Sequence, residues 1–395
     1  MGRGIARTLA ALALALAGLT AGAAASASSA PVSSAAVSSA AAPVADELDG
    51  IWCASQKSCL AVGTNLNGPS PLAETWNGST WKKVAVTLPV KATSGSLYRL
   101  SCLSGKHCVA AGQYLQSALA DTWTGSGWKP ATPPGPPGPG TYLIGISCRS
   151  ATSCVAVGSY TKKASVAYSD ILSGTTWVGK AVPVPNGTFL SQLEDVSCPS
   201  ATFCVAAGYA AFANGSSSVV IDMWNGKAWS AMKSATLPAG YFGHLLNGVS
   251  CVSPKSCVAV GEEGKPSGVI AISEIWNGRT WRYVKLSWPK GVKNAELNEV
   301  RCLSASHCVA VGLTGQNPAS TYLTGRAAAV VWNGKAWKAQ SVPAPARGKF
   351  SVFYGLYCTK AFCAAAGQTG PSGSPNGIGL AGFTTGSSWK VLAAK

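Results

Sequence analysis

The sequence predicts an all-β fold, a seven-bladed β-propeller of four-stranded antiparallel blades with one disulfide per blade. Three observations predict it. The 14 cysteines fall into seven pairs, and each pair opens one copy of a repeat of roughly 50 residues, the period of a stacked or closed array of one supersecondary unit. Each copy continues in the same order to a turn, written Trp-Asn-Gly in most of them, and then a second tryptophan. No helical periodicity follows the N-terminal segment.

Residues 1–27 have the form of a secretory signal. Arg3 and Arg7 supply a positive start, Leu9 to Leu19 an apolar run, and Ala25-Ser26-Ala27 a small-residue cleavage pattern. The apolar run is shorter than the roughly 20 residues of a membrane span, and no later segment reaches that length. The first cysteine is Cys53, so no lipid anchor is expected on a cysteine just after the signal. Residues 28–47 form an Ala/Ser/Pro-rich tract with no face to bury, and they read as a linker. The propeller is expected over 48–395, with blades at about 48–89, 97–134, 143–185, 193–238, 246–289, 297–345 and 353–392.

Within each blade an apolar strand such as LEDVSC ends on the first cysteine, and a second strand such as CVAAG begins on the next. The short stretch between them is rich in Ser, Pro, Thr and Lys, as a turn requires. The third strand runs into Asn-Gly, the strongest short hairpin signal, because both residues accept positive φ. The fourth strand follows the second tryptophan, at Trp81, Trp128, Trp177, Trp229, Trp281, Trp337 and Trp389. The first member of the pair is Trp76, Trp123, Trp224, Trp276 and Trp332, with Leu172 in unit three and Phe383 in unit seven. From the second tryptophan to the next unit's first cysteine is 20 to 22 residues every time, while the loop after CVAVG varies from 11 to 20. Constant inter-blade spacing with one variable loop suits a rigid ring with a decorated face. Closure of the ring also covers most of the sheet edges that an open stack would expose. Two tryptophans per unit at fixed positions are expected to pack blade against blade.

An even cysteine count, strict pairing and a secretory signal argue for disulfides: Cys53–Cys59, Cys102–Cys108, Cys148–Cys154, Cys198–Cys204, Cys251–Cys257, Cys302–Cys308 and Cys358–Cys363. Zinc sites prefer two to four intervening residues and a second ligand pair. Here six pairs are C-x5-C, and the only histidines are His107, His244 and His307, so no metal and no cofactor is expected. Each small ring should stabilise its unit by roughly 2 kcal/mol in the chain-entropy model.

The repeat SCxSxxxCVAVG…WNGxxW resembles that of a group of secreted proteins of high-GC Gram-positive bacteria. The resemblance runs from Leu48 to Leu392. It implies the repeat fold and export, and the motif carries little functional information. The WNGxxW turn also looks like the Asp-box turn of sialidase-type propellers, but the Asp-box aspartate is absent and no sialidase chemistry is carried over.

The formal charge of +17 falls to about +15 when the signal takes Arg3 and Arg7 with it. Such a balance favours acidic partners. Wall glycan, an anionic polymer or an extracellular protein are the expected partners of a secreted monomer. Nucleic acid is not expected, because neither a basic cluster nor aromatic–basic interleaving occurs. The acids lie mostly singly or in short pairs (Glu194-Asp195, Glu262-Glu263, Glu296 and Glu299) and read as solvated loop residues. His244 is the one histidine away from a cysteine and a weak candidate for a base.

Breaks in the repeat are more informative. The residue before the first cysteine is Ser in units two to five but Arg301, Tyr357 and Trp52 in units six, seven and one. On a closed ring those units are neighbours. An aromatic and cationic patch there suits an anionic sugar or a flat ligand. Arg99 and Glu299, two residues earlier than that position, are secondary candidates. The sequence thus reads as a secreted, non-catalytic binding or scaffold propeller. The alternative is an exported polysaccharide-active hydrolase or lyase with its site at the channel mouth, which would need two placed carboxylates.

Overall fold

The computed structural model describes residues 46–393, apart from 90–91, 137–139, 162–163, 237–241, 266–267, 317–323, 347, 349 and 372–376. The signal and most of the linker lie outside the described residues. Seven separate four-stranded sheets follow one another, each an antiparallel meander. Blade two is representative, with strands Gly95–Ser104, His107–Tyr114, Ser117–Trp123 and Trp128–Ala131. The first strands of consecutive blades touch all round, and that of blade seven touches that of blade one, so the ring is closed with the first strands innermost. No strand is exchanged at the closure, since blade seven takes all four strands from 350–393. The closing contacts are Phe383 stacked on Trp76 of blade one at 6.1 Å and a hydrogen bond from Asp46 N to Gly377 O. The first strand starts at Asp46, so Asp46 and Glu47 belong to the propeller rather than to the linker.

All seven expected disulfides form, each across the hairpin between first and second strands. The hydrophobic core is divided into layers between blades. One layer, for example, combines Val258, Val260 and Val284 of blade five with Leu297, Trp332 and Trp337 of blade six. The two tryptophans of a unit hold different parts of this layer. The first caps its own disulfide hairpin: Trp76 Nε1 donates to Gln56 O at 2.9 Å and Trp123 Nε1 to Gly105 O at 3.1 Å. The second reaches the preceding blade, as Trp229 Nε1 donates to Ser169 Oγ at 2.8 Å and Trp337 Nε1 to Ser273 Oγ at 2.9 Å.

Three sequence expectations need correction. The Asn-Gly turns are four-residue loops in which only glycine takes positive φ, as at Gly78 (φ 97°). The asparagine works through its side chain instead, Asn77 Oδ1 accepting from Ser79 N and Thr80 N at 2.9 Å each. In blade seven the residue paired with the second cysteine is Thr384, not Phe383. Phe383 therefore lies on the other face of its strand, where it meets Trp76. Finally, the acids are not solvated loop residues. Glu194, Asp195, Glu263 and Glu299 lie within strands and are buried, and only Glu262 and Glu296 are half-exposed.

Every first strand carries a one-residue bulge four positions before its cysteine, at Asp49, Tyr98, Ile144, Glu194, Asn247, Asn298 and Tyr354. A bulge re-aims the side chains that follow it. It also explains the glycine that closes each CVAVG motif. A Cβ on Gly63 would collide with the carbonyl oxygen of Glu47, and one on Gly312 with that of Glu296.

Candidate ligand-binding face

The residue after the bulge points to the ring centre. It alternates between glycine and charge: Gly50, Arg99, Gly145, Asp195, Gly248, Glu299 and Gly355. The glycines let neighbouring backbones close in, since a Cβ on Gly145 would lie 2.6 Å from Asp195 Cα and one on Gly248 2.9 Å from Glu299 Cα. The charges meet across the centre. Arg99 of blade two ion-pairs with Glu299 of blade six, and its Nε lies 4.0 Å from Asp195 Oδ1 of blade four. Its guanidinium also donates to the carbonyls of Tyr354, Asn247 and Asn298 at 3.0–3.2 Å. Asp195 Oδ2 accepts from Val249 N at 3.0 Å. Five blades are thus tied by one buried cluster. Two carboxylates do converge here, the feature that would favour a hydrolase. They are buried and share the one cation of Arg99, whereas a glycosidase pair must flank an accessible bond.

The disulfide hairpins and the Asn-Gly turns lie at the same end of every blade, because both follow an odd-numbered strand of the meander. At that end, in blades two to five, the serine before the first cysteine latches each blade to the next. Ser101 Oγ accepts from Cys148 N at 2.9 Å, and Ser147, Ser197 and Ser250 repeat the contact with Cys198, Cys251 and Cys302. The latch is replaced where the sequence pattern breaks. Arg301 Nε donates to Leu356 O of blade seven at 3.1 Å, and its Nη2 lies 3.7 Å from buried Glu299 Oε1. Tyr357 and Trp52 meet with ring centroids 5.8 Å apart. Burial pushes the Tyr357 phenol up, while a hydrogen bond from Trp52 and the charge of Arg301 pull it down. All three side chains are half-exposed. The structure therefore brings Arg301, Tyr357 and Trp52 into one continuous patch, and it places Arg99 and Glu299 behind it in the buried cluster, out of reach of a surface ligand.

Charge is sorted by depth. All but two of the 14 carboxylates are buried, and those two are half-buried. Every described Lys and Arg other than Arg99, Arg301 and Lys265 is exposed. Several cations ring the disulfide end: Lys57, Lys106, Lys255 and Lys360 on the hairpins, and Lys227 and Lys335 on the turns. Five of the buried carboxylates share one register on the third strands of blades one to five. Burial pushes Glu74, Asp121, Asp222 and Glu274 up to about 7 and Asp170 up to about 6. Glu274 anchors the incoming linker by accepting from Ala235 N at 2.8 Å. His244, the weak base candidate, has its Nδ1 3.6 Å from Glu263 Oε2. Both lie near strand ends on the loop side of the ring, opposite the disulfides.

No protein-family model matches the chain, and no curated protein does. Among solved structures it is similar to YCF48 bound to a D1 peptide (TM-score 0.50, 14% identity, covering 83% of this chain and 90% of that one). It is also similar to YCF48 from Cyanidioschyzon merolae (0.51, 14%, 83% and 95%). A third is the GH74 xyloglucanase from Xanthomonas campestris (0.56, 12%, 89% of this chain and 55% of that one). The chain spans about half the length of that enzyme. At these identities the likeness shows the propeller fold alone. Seven disulfides fit an oxidising compartment, and among the described residues no helix is long and apolar enough to cross a membrane.

Proposed function

We propose that this is a secreted, non-catalytic binding propeller that presents its disulfide face to an anionic polymer of the cell wall. The observation that carries the reading is the sorting of charge by depth: carboxylates inside, lysines and arginines outside. A net charge alone could serve solubility. Burial of the acids goes further, because it leaves the surface with almost no negative charge to repel a polyanion, and this raises both encounter rate and local concentration. The Arg301–Tyr357–Trp52 patch adds shape to the charge, with two rings for a sugar face and a guanidinium for a carboxylate or phosphate. The repeat resemblance supports export, and the YCF48 complex with a peptide supports a binding role for this fold, with an extracellular protein as the other class of partner.

The test is retention of the oxidised mature chain on polygalacturonate beads and on neutral glucan beads, at low and high salt. Retention on the acidic polymer alone is expected, with a fraction surviving high salt. The combined Trp52→Ala and Arg301→Ala variant should lose that fraction and keep the salt-sensitive one. Equal retention on neutral glucan, or none on the acidic polymer, would overturn the reading. Cleavage of the polymer would move the protein to the hydrolase or lyase class.

A further inference from the structure

A second site lies on the same face, between blades three and four, opposite the patch on the ring. A cavity of about 510 Å³ opens there, within the roughly 300–1,000 Å³ typical of small-ligand sites. Its apolar wall is Val155, Ile171 and Val178 of blade three and Trp224 of blade four. Its rim carries Arg149, Lys180 and Lys227, and Ser153, Ser173 and Ser200 supply hydroxyls. No carboxylate lines it. Arg149 is held in place by donating to Pro199 O across the blade gap.

Two repeat positions set what lines this gap. The residue before the second cysteine is Phe203 in blade four and Phe362 in blade seven, and histidine in blades two and six. The two phenylalanines join the packing between blades, Phe362 beneath Trp76 and Phe203 beside Trp281. Blades one, three and five have serine there, Ser58, Ser153 and Ser256, and blade three alone of these also carries an apolar residue, Val178, on its outer strand where most blades have a lysine or arginine.

We infer that this cavity receives one acidic sugar unit. The aliphatic wall and Trp224 suit the C–H faces of a sugar ring, the serines its hydroxyls, and the three cations one carboxylate or phosphate group. The inference rests on the anionic-polymer reading for its ligand class, and it adds a subsite that the central patch does not supply.

Titration calorimetry with trigalacturonate and with glucose 6-phosphate tests it and distinguishes the two anions. At least one should bind, and neutral maltotriose should not. Ser153→Phe fills the cavity in the manner of Phe203 and Phe362, and Lys180→Glu reverses one rim charge. Each should weaken binding about tenfold or more. Polygalacturonate retention through the central patch should persist in the Ser153→Phe variant. Unchanged affinity in both variants, or binding of neither anion, would overturn the subsite. Loss of polymer retention by the unmodified chain would instead overturn the parent reading.

Discussion

Arg99 of blade two and Glu299 of blade six form a buried ion pair across the centre of the ring. Each is the residue that follows a bulge, and each faces glycines on its neighbours. A buried polar cluster at the centre thus joins five of the innermost strands.

The first prediction concerns that core. Removing one partner of a buried ion pair typically costs about 3–5 kcal/mol, because the other charge is left without compensation. Arg99→Met leaves Asp195 without its cation and Glu299 with Arg301 alone, 3.7 Å away. A loss of about 3 kcal/mol or more is expected in urea unfolding. Adding Asp195→Asn and Glu299→Gln should recover much of it. A loss under about 1 kcal/mol for Arg99→Met, the level of a surface pair, would show that the cluster contributes little.

The repeat made the fold legible. Cysteine pairing, the paired tryptophans and constant inter-blade spacing each survive in the structure because they serve the same contact seven times. The patch was legible for the opposite reason, since Arg301, Tyr357 and Trp52 break a pattern that four serines keep. The buried carboxylates were not legible. Under strict alternation Glu299 would share the face of Leu297, and Val300 would lie on the opposite one. Leu297 and Val300 are three residues apart, however, and both are fully buried. Two core residues at an odd spacing on one strand require a bulge between them. That spacing, repeated as L-x-x-V or its equivalent in the units, was the available signal. The cavity between blades three and four depends on the joint choice at several positions, which no single motif marks.

The second prediction uses the irregularity of the indole contacts. Trp229 and Trp337 find a serine on the preceding blade, and each serine also donates to its own outer strand, Ser169 to Lys180 O and Ser273 to Val284 O. Blade one has Ala73 at that register, and the buried Nε1 of Trp128 on blade two has no hydrogen-bond partner among the described residues. Ala73→Ser offers it one, with Val84 O as the acceptor for the new hydroxyl. A net hydrogen bond contributes about 1 kcal/mol. Ala73→Ser should therefore raise the unfolding midpoint, while Ala73→Val, which adds bulk without an acceptor, should lower it. Equal midpoints for Ala73→Ser and the unmodified chain would show that the indole is already satisfied.

The third prediction follows from the five carboxylates of the third strands. Their folded pKa values, about 6 to 7, lie above the ordinary carboxylate range, and burial is the largest cause in each. Between about pH 4 and pH 7 the folded state therefore binds more protons than the unfolded one, and stability falls as pH rises through that window. The melting temperature should be higher at about pH 4.5 than at about pH 7.5, the reverse of a chain held by exposed ion pairs. Asp222 isolates the effect, because burial alone raises it and neither carboxylate oxygen has a hydrogen-bond partner among the described residues. Asp222→Asn keeps the shape and removes the charge. A pKa difference of one between the folded and unfolded states corresponds to about 1.4 kcal/mol, so the variant should be more stable by roughly 2–4 kcal/mol at the higher pH and little changed at the lower. Calorimetry of both chains at the two pH values measures the difference directly. An Asn variant that destabilises equally at both would mean that the Asp222 charge is compensated in the folded ring, and the inverted pH profile would lose its basis.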